Sequence, residues 1–278
     1  MPLTVSERQY VTLPLVEREE LGAGYQLLRF RAAVPLVARP GQFVMVRPAD
    51  WPVAPLLPRP MSLLGGGAEP RLLVKVVGEG TRRMAGAQAG ERFALLGPLG
   101  RPWPWPKPGS APLLVAGGVG LAPLLFLARE LARQPEAAGA GQPRARALYG
   151  GRTAADLPLA DELGAIAELG LATEDGSRGT RGLVTALLDP ALADIARAGL
   201  RPMIYACGPQ AMMAAVARLA AERALSCQVS LEARMACGCG CCLGCAVPRA
   251  AGGYLYACAD GPCVDAAQVG WDRAEALV

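Results

Sequence analysis

The chain has 278 residues, 52% of them hydrophobic, which is enough for about two domains with cores of their own. Its formal net charge is only +4, with Lys and Arg scattered along the chain, so no basic block or aromatic-interleaved patch argues for nucleic acid. Histidine is absent, which excludes Ser-His-Asp and Cys-His catalysis, histidine-ligated zinc and a histidine-ligated Rieske centre.

In chain order, Met1–Tyr10 carries no apolar signal region. No stretch reaches the roughly 18–20 uninterrupted apolar residues of a membrane span. The longest candidate, Ala111–Leu127, is broken by Gly117, Gly118, Gly120 and two prolines. A soluble, unprocessed, cytoplasmic chain is expected.

Residues 1–108 show short strand-like runs broken by Gly and Pro, among them Tyr25–Ala32, Gln42–Arg47, Arg71–Val77 and Arg92–Leu96. Roughly six such strands predict a small antiparallel β-barrel. Within it, Arg59-Pro60-Met61-Ser62 follows a proline-rich turn, Pro55–Pro58. Pro60 stiffens the backbone, Arg59 suits a phosphate and Ser62 offers a hydrogen bond. Gly80-Thr81 follows the strand Leu72–Val77 and offers backbone N–H groups to a second phosphate group. Taken singly, each of these also reads as an ordinary loop. Proline at alternate positions in Arg101–Gly109 then predicts a stiff linker.

Residues 109–226 alternate strand and helix. Strands are expected at Leu113–Ala116, Ala145–Tyr149, Leu171–Thr173 and Met203–Ala206. Helices are expected at Leu121–Arg133, Leu159–Leu169, Leu183–Leu188 and Gln210–Ala224. This βαβα order predicts a parallel α/β sheet covered on both faces, and hence an α+β multidomain chain. Gly117, Gly118 and Gly120 form a glycine-rich turn between strand and helix, where backbone can approach a pyrophosphate at the helix N-terminus. Pro123 fits the first turn of that helix. The pattern is not G-x-G-x-x-G, and alone it reads equally as a tight structural turn. A later strand ends in Tyr205-Ala-Cys-Gly-Pro209, which places Cys207 and Gly208 on the same carboxyl edge of the sheet. Cys207 suits packing against a nicotinamide ring, or reads as a buried structural thiol.

Residues 227–278 are cysteine-rich with little periodicity, as in a segment that folds around a metal. Five of the nine cysteines lie between Cys237 and Cys245, too close to pair with one another, so the cluster reads as metal ligands. Cys237-x4-Cys242-x2-Cys245 with a distant fourth cysteine reproduces the plant-type [2Fe–2S] spacing. Gly238, Gly240 and Gly244 permit the kinked backbone that aims amides at sulfur. A [4Fe–4S] run starting at Cys239 fails, because its next ligand falls on Arg249. A four-cysteine zinc site usually shows two short Cys pairs, which this segment lacks. Spacing leaves Cys258 and Cys263 in competition as the fourth ligand.

The order Arg-Pro-Met-Ser62, Gly78-Glu-Gly-Thr81, Leu96-Gly-Pro-Leu-Gly100, Gly117-Gly-Val-Gly-Leu-Ala-Pro123 and Tyr205-Ala-Cys-Gly-Pro209 resembles the ferredoxin–NADP reductase superfamily. Ala172–Ser177, Gly182–Thr185, Leu231–Cys237 and Cys258-Ala-Asp-Gly-Pro262 are similar to the electron-transfer subunits of type B dihydroorotate dehydrogenase. The resemblance covers almost the whole chain and implies three units: 1–108 for FAD, 109–226 for NAD and 227–278 for a [2Fe–2S] cluster. It implies that Arg59, Pro60, Met61, Ser62, Leu73, Val74, Lys75, Gly80 and Thr81 hold FAD. It also implies Gly117, Gly118, Gly120, Cys207 and Gly208 for the nucleotide. Cys237, Cys242, Cys245 and Cys258 become the cluster ligands, which favours Cys258 over Cys263. The implied function is to carry electrons from an FMN-containing dihydroorotate dehydrogenase catalytic subunit, in a heterotetramer of two of each chain, through [2Fe–2S] and FAD to NAD+ in pyrimidine biosynthesis. A related reductase subunit serving another redox complex, and a zinc-stapled nucleotide-binding module, are the alternatives. Cys239 and Cys241 depart from the family, which usually has other residues there. Arg152, after the second strand of the α/β unit, suits either a 2′-phosphate or solvent.

Overall fold

The first two strands, β1 (Gln9–Gly22) and β2 (Tyr25–Phe30), form a hairpin turned by Gly22, Ala23 and Gly24, all in the left-handed region. The computed structural model describes residues 8–51, 56–133 and 144–273, so the expectations for residues 1–7 and Pro55 lie outside the described residues. Strands β3 (Phe43–Pro48), β4 (Arg59–Gly65), β5 (Arg71–Lys75) and β6 (Arg92–Leu99) follow, with helix α1 (Glu79–Ala85) between β5 and β6. They close into a six-stranded antiparallel barrel in the order β1-β2-β5-β4-β3-β6, which leaves no free edge. Alternation fills it: Leu28, Phe30, Val44, Leu72, Val74 and Phe93 point inward, and the rings of Phe30 and Phe93 meet edge to face at 5.2 Å. Burying each such side chain contributes about 1.5–3 kcal/mol. Arg59–Ser62 therefore lies on a strand, and Gly80-Thr81 lies inside α1.

The proline-rich segment is fastened down. Trp103 is buried edge-on against Tyr205 at 5.5 Å, and the Tyr205 hydroxyl donates to the Pro104 carbonyl at 2.9 Å.

Strand β7 (Ser110–Gly117) opens the second unit and is buried along its whole length, as a central parallel strand must be. Next come α2 (Leu121–Arg133), β8 (Arg146–Gly151), α3 (Ala160–Ile166), β9 (Glu168–Thr173), β10 (Thr180–Arg181), α4 (Leu188–Arg197), β11 (Arg201–Cys207), α5 (Gln210–Glu222) and β12 (Ser226–Ser230). Leu114 and Ala116 of β7 pack with α2 and α3, while Leu113 and Val115 pack with α4 and α5. The helix expected to reach Leu169 ends at Ile166, because Glu168 already pairs with β8. The short helix expected at Leu183–Leu188 is a 3₁₀ turn, Val184–Leu187, and the chain continues as α4. Leu188, Ala191, Leu192 and Ile195 form the buried i, i+3, i+4, i+7 stripe of that helix.

The remaining strands are β13 (Ala246–Pro248) and β14 (Tyr254–Tyr256), a hairpin, and β15 (Cys263–Asp265). The sheet order is β10-β9-β8-β7-β11-β12-β15, parallel except for β15, which runs antiparallel to β12. The cysteine-rich segment thus hangs from the sheet at both ends, and a boundary at 226/227 falls inside β12. Among the described residues no helix is long and apolar enough to cross a membrane.

Candidate cofactor sites

Two cavities adjoin where the barrel meets the carboxyl edge of the sheet. The larger, about 500 Å³, is lined by Gly117, Gly118, Arg152, Glu174, Gly208 and Met212 from the sheet side, and by Tyr25 and Lys75 from the barrel. The smaller, about 280 Å³, is lined by Pro60, Met61, Ser62, Leu73 and Thr81 of the barrel, by Gly120 and Cys207 of the sheet, and by Leu231, Met235 and Pro262 of the cysteine segment. Lys75, Val119 and Glu232 border both cavities.

The glycines make this junction possible. A Cβ on Gly120 would lie 2.3 Å from the Cys207 carbonyl oxygen, and one on Gly208 would lie 2.9 Å from Gly117. The two turns expected on one edge therefore interlock, and no side chain fits between them. The Tyr149 hydroxyl holds the first turn from beneath by donating to the Gly118 carbonyl at 3.1 Å.

Charge concentrates at the mouth. Lys75 Nζ donates to Asp156 Oδ1 at 3.2 Å and stands 3.9 Å from the centre of the Tyr25 ring. Burial opposes ionisation of Asp156, but the Lys75 hydrogen bond and charge outweigh it and hold the carboxyl below its ordinary range. Burial, aided by the Asp156 charge, pushes the Tyr25 phenol up to about 12. Glu232 opens to solvent through the cleft, yet protein surrounds most of it, and this desolvation raises its carboxyl above the usual range.

Most barrel residues expected at the flavin do gather around the smaller cavity. Val74 lines neither cavity with its side chain. Strand alternation turns its side chain into the barrel core, fully buried, so only its backbone can face a ligand. Arg59 lies off the cavity lining. Its Nη1 donates to the Leu57 carbonyl, its guanidinium stands 5.5 Å from the Trp51 ring, and a Cβ on Gly80 would lie 2.6 Å from its Nε. Gly80 thus leaves room for the guanidinium against α1. The Thr81 hydroxyl accepts from the backbone N–H groups of Val77 at 2.9 Å and Gly78 at 3.1 Å. Cys207 lines the smaller cavity from the sheet side, and burial raises its thiol well above the ordinary range. The slot is mostly apolar with a few polar groups, which suits the flat ring system of a flavin.

The cysteine loop docks on the barrel next to this slot. A Cβ on Gly238, at φ +69°, would lie 2.4 Å from the Met45 side chain, and one on Gly100 would lie 2.4 Å from Pro262. The loop aims backbone amides at sulfur. Cys239 N and Cys242 N donate to Cys237 Sγ at 3.5 and 3.4 Å, Gly244 N donates to Cys242 Sγ at 3.5 Å, and Cys258 N donates to Cys245 Sγ at 3.4 Å. Burial disfavours the Cys237 thiolate, but these N–H groups outweigh it and bring the thiol down to about 6. Cys245 and Cys258 Sγ are 3.2 Å apart. Among the described residues no three donors converge on one metal point; the four ligand candidates stand as two pairs, Cys237 with Cys242 and Cys245 with Cys258, and Cys239 also touches Cys237. Two irons, each taking two thiolates, match a donor set divided in this way. Cys263 faces the other way, 3.6 Å from the Gly41 carbonyl and apart from these pairs.

Glu232 lies inside the Leu231–Cys237 motif, where the sequence assigns it no role, and the sequence marks neither Tyr25 nor Asp156 as a site residue. Position just beyond a strand's carboxyl end was the available signal for Glu232. Tyr25 and Asp156 carry none, because only the packing of barrel on sheet brings them together.

The family model for the iron-sulfur cluster binding domain of dihydroorotate dehydrogenase B matches residues 232–270, and that for the oxidoreductase NAD-binding domain matches residues 114–218. The dihydroorotate dehydrogenase B (NAD(+)) electron transfer subunit of Desulforamulus reducens is 37% identical over 85% of this chain and 88% of that protein. Its counterpart from Bacillus caldolyticus is 35% identical over 88% of this chain and 92% of that protein. Among solved structures, one from the NADH-dependent reduced ferredoxin-NADP oxidoreductase aligns with a TM-score of 0.79 at 28% identity, covering 94% of this chain and 91% of the other. The ferredoxin reductase of carbazole 1,9a-dioxygenase aligns at 0.67 with 22% identity over 78% of this chain and 67% of the other, and shares the fold.

Proposed function

This chain belongs to the family of electron transfer subunits of dihydroorotate dehydrogenase B (NAD(+)), and on that premise we propose that it links a catalytic partner's oxidation of dihydroorotate to NAD+ in pyrimidine biosynthesis. An FMN-containing partner, a heterotetramer of two of each chain and a cytoplasmic setting belong to the same proposal. Nine free cysteines fit a reducing compartment.

The observation that carries the reading is adjacency. The cysteine loop rests on the barrel wall beside the smaller cavity, and that cavity shares Lys75, Val119 and Glu232 with the larger one. Residues 1–108 would hold FAD through Arg59, Pro60, Met61, Ser62, Leu73, Lys75, Gly80 and Thr81, with the backbone of Val74. Residues 109–226 would hold NAD at Gly117, Gly118, Gly120, Cys207 and Gly208. Residues 227–278 would hold the [2Fe–2S] cluster on Cys237, Cys242, Cys245 and Cys258.

When bound, the cluster exchanges single electrons, the flavin handles both one and two, and the nicotinamide accepts a hydride. The protein's part is positioning. Gly117, Gly118 and Gly208 line the larger cavity, where their backbone would meet the nucleotide. Pro60–Ser62 and Leu73 shape the flavin slot, and Met235 and Pro262 close it on the cluster side. Hydride transfer needs no imidazole, so the absence of histidine is no obstacle.

The alignment with the reduced ferredoxin-NADP oxidoreductase favours a second reading, a subunit of another redox complex. Tagging the chain in its own host and identifying stoichiometric partners separates the two. A dihydroorotate dehydrogenase supports the first reading, and a different redox enzyme supports the second.

A further inference from the structure

The ligand assignment leaves two cysteines of the loop without a role, and they face each other. Cys239 Sγ and Cys241 Sγ are 3.7 Å apart. Cys241 is exposed and Cys239 half-buried, so small reagents reach the pair from solvent. Gly240 between them takes φ +92°, a left-handed kink that swings both side chains to one side of the chain. Among the four proposed ligands, Cys237 accepts backbone N–H groups and also meets the Cys239 thiol, Cys242 accepts from Gly244, and Cys245 sits against Cys258, so Cys241 is the thiol of the pair that stands clear of them. The two thiols are free, and the kink at Gly240 brings them within reach of each other despite their closeness in sequence.

A disulfide bond is about 2.05 Å long, so closing the pair asks for side-chain rotation and a small backbone adjustment. A soluble surface ordinarily avoids exposed free thiols, and two side by side form a dithiol.

We propose that Cys239 and Cys241 form a reversible dithiol–disulfide site that takes up small-molecule disulfide oxidants ahead of the cluster-ligating cysteines. The inference rests on the ligand assignment above. In the reaction, the Cys241 sulfur attacks one sulfur of the small disulfide and breaks its S–S bond, releasing one small thiol. Cys239 then displaces the second small thiol from the mixed disulfide and forms the Cys239–Cys241 bond. Both protein thiols are oxidised by one electron each, and the small disulfide is reduced to two thiols that carry away the two protons.

The test uses the purified complex with its cofactors bound, treated anaerobically with oxidised glutathione, and reads peptide masses together with the visible cluster spectrum. The expected result is a 239–241 disulfide without lasting glutathione adducts, reversed by a dithiol reductant, with the cluster spectrum intact. The double variant Cys239→Ser/Cys241→Ser should keep the cluster spectrum and bleach several-fold faster under the same oxidant. Two stable glutathione adducts, two unreacted thiols, or equal bleaching rates would overturn the proposal. Loss of the cluster spectrum in the untreated double variant, with FAD still bound, would place one of these cysteines among the ligands and overturn the ligand assignment as well.

Discussion

Lys75 of the barrel and Asp156 of the α/β unit form an ion pair 3.2 Å long across the barrel–sheet junction, where both line the larger cavity. Both side chains are largely shielded, so the pair lies between the weak surface case and the costly buried one.

Replacing Asp156 with Asn should destabilise the chain by about 1–2 kcal/mol at neutral pH. The folded carboxyl sits below its unfolded value, so its contribution is present above the unfolded pKa and is lost as pH falls through the folded one. Denaturant melts of the two proteins should therefore differ at pH 7 and converge below about pH 4. A constant difference across that range would contradict the assignment.

Glu232 carries the opposite sign. Burial raises its folded carboxyl, so the stability it allows is full below the unfolded value and falls as pH rises through the folded one. Glu232→Gln should raise Tm at pH 8 and leave it unchanged near pH 4. At pH 8, once ionised, the Glu232 carboxylate bordering both cavities would attract the positively charged ring of NAD+. The same change should weaken NAD+ by on the order of 1 kcal/mol, about fivefold in Kd, with little effect on NADH. Titration calorimetry with both nucleotides would check this.

Gly120 tolerates no side chain. Its Cβ would meet the Cys207 backbone at 2.3 Å, so Gly120→Ala must push the two turns apart. A loss of about 1–3 kcal/mol and about a tenfold higher KM for NAD+ are expected. Wild-type kinetics would show that the turns are not the nucleotide site.

Cys258 and Cys263 should separate cleanly. Cys258→Ser should lose iron and inorganic sulfide, while Cys263→Ser should keep both, because the Cys263 thiol points at Gly41. Metal analysis of the two variants gives the answer, and the reverse pattern would exchange their roles.

Much of this was legible because local rules govern it. Strand alternation, the strand-turn-helix order and the cysteine spacing each encode structure over a few residues, and they gave the barrel, the parallel sheet and the cysteine loop. Leu188, Ala191, Leu192 and Ile195 spell the stripe of α4, but the apolar run Leu183–Leu188 before it reads as a separate short helix, whereas it is a 3₁₀ turn leading into α4. The family motif names Leu73, Val74 and Lys75 as a run, but the pleat sends alternate side chains to opposite faces, so Val74 turns into the barrel core. Strand β15 has three residues and pairs only because the cysteine segment folds back on β12. The Lys75–Asp156 pair joins positions 81 residues apart, and nothing local announces it.

The most direct test of the central claim is NAD+ reduction by dihydroorotate in the complex of this chain with its catalytic partner. NADH should form with the wild-type chain. With Cys242→Ser it should fall to background, while NADH oxidation by an artificial acceptor through the flavin persists. Dihydroorotate-driven NADH formation at the wild-type rate in that variant would contradict the account.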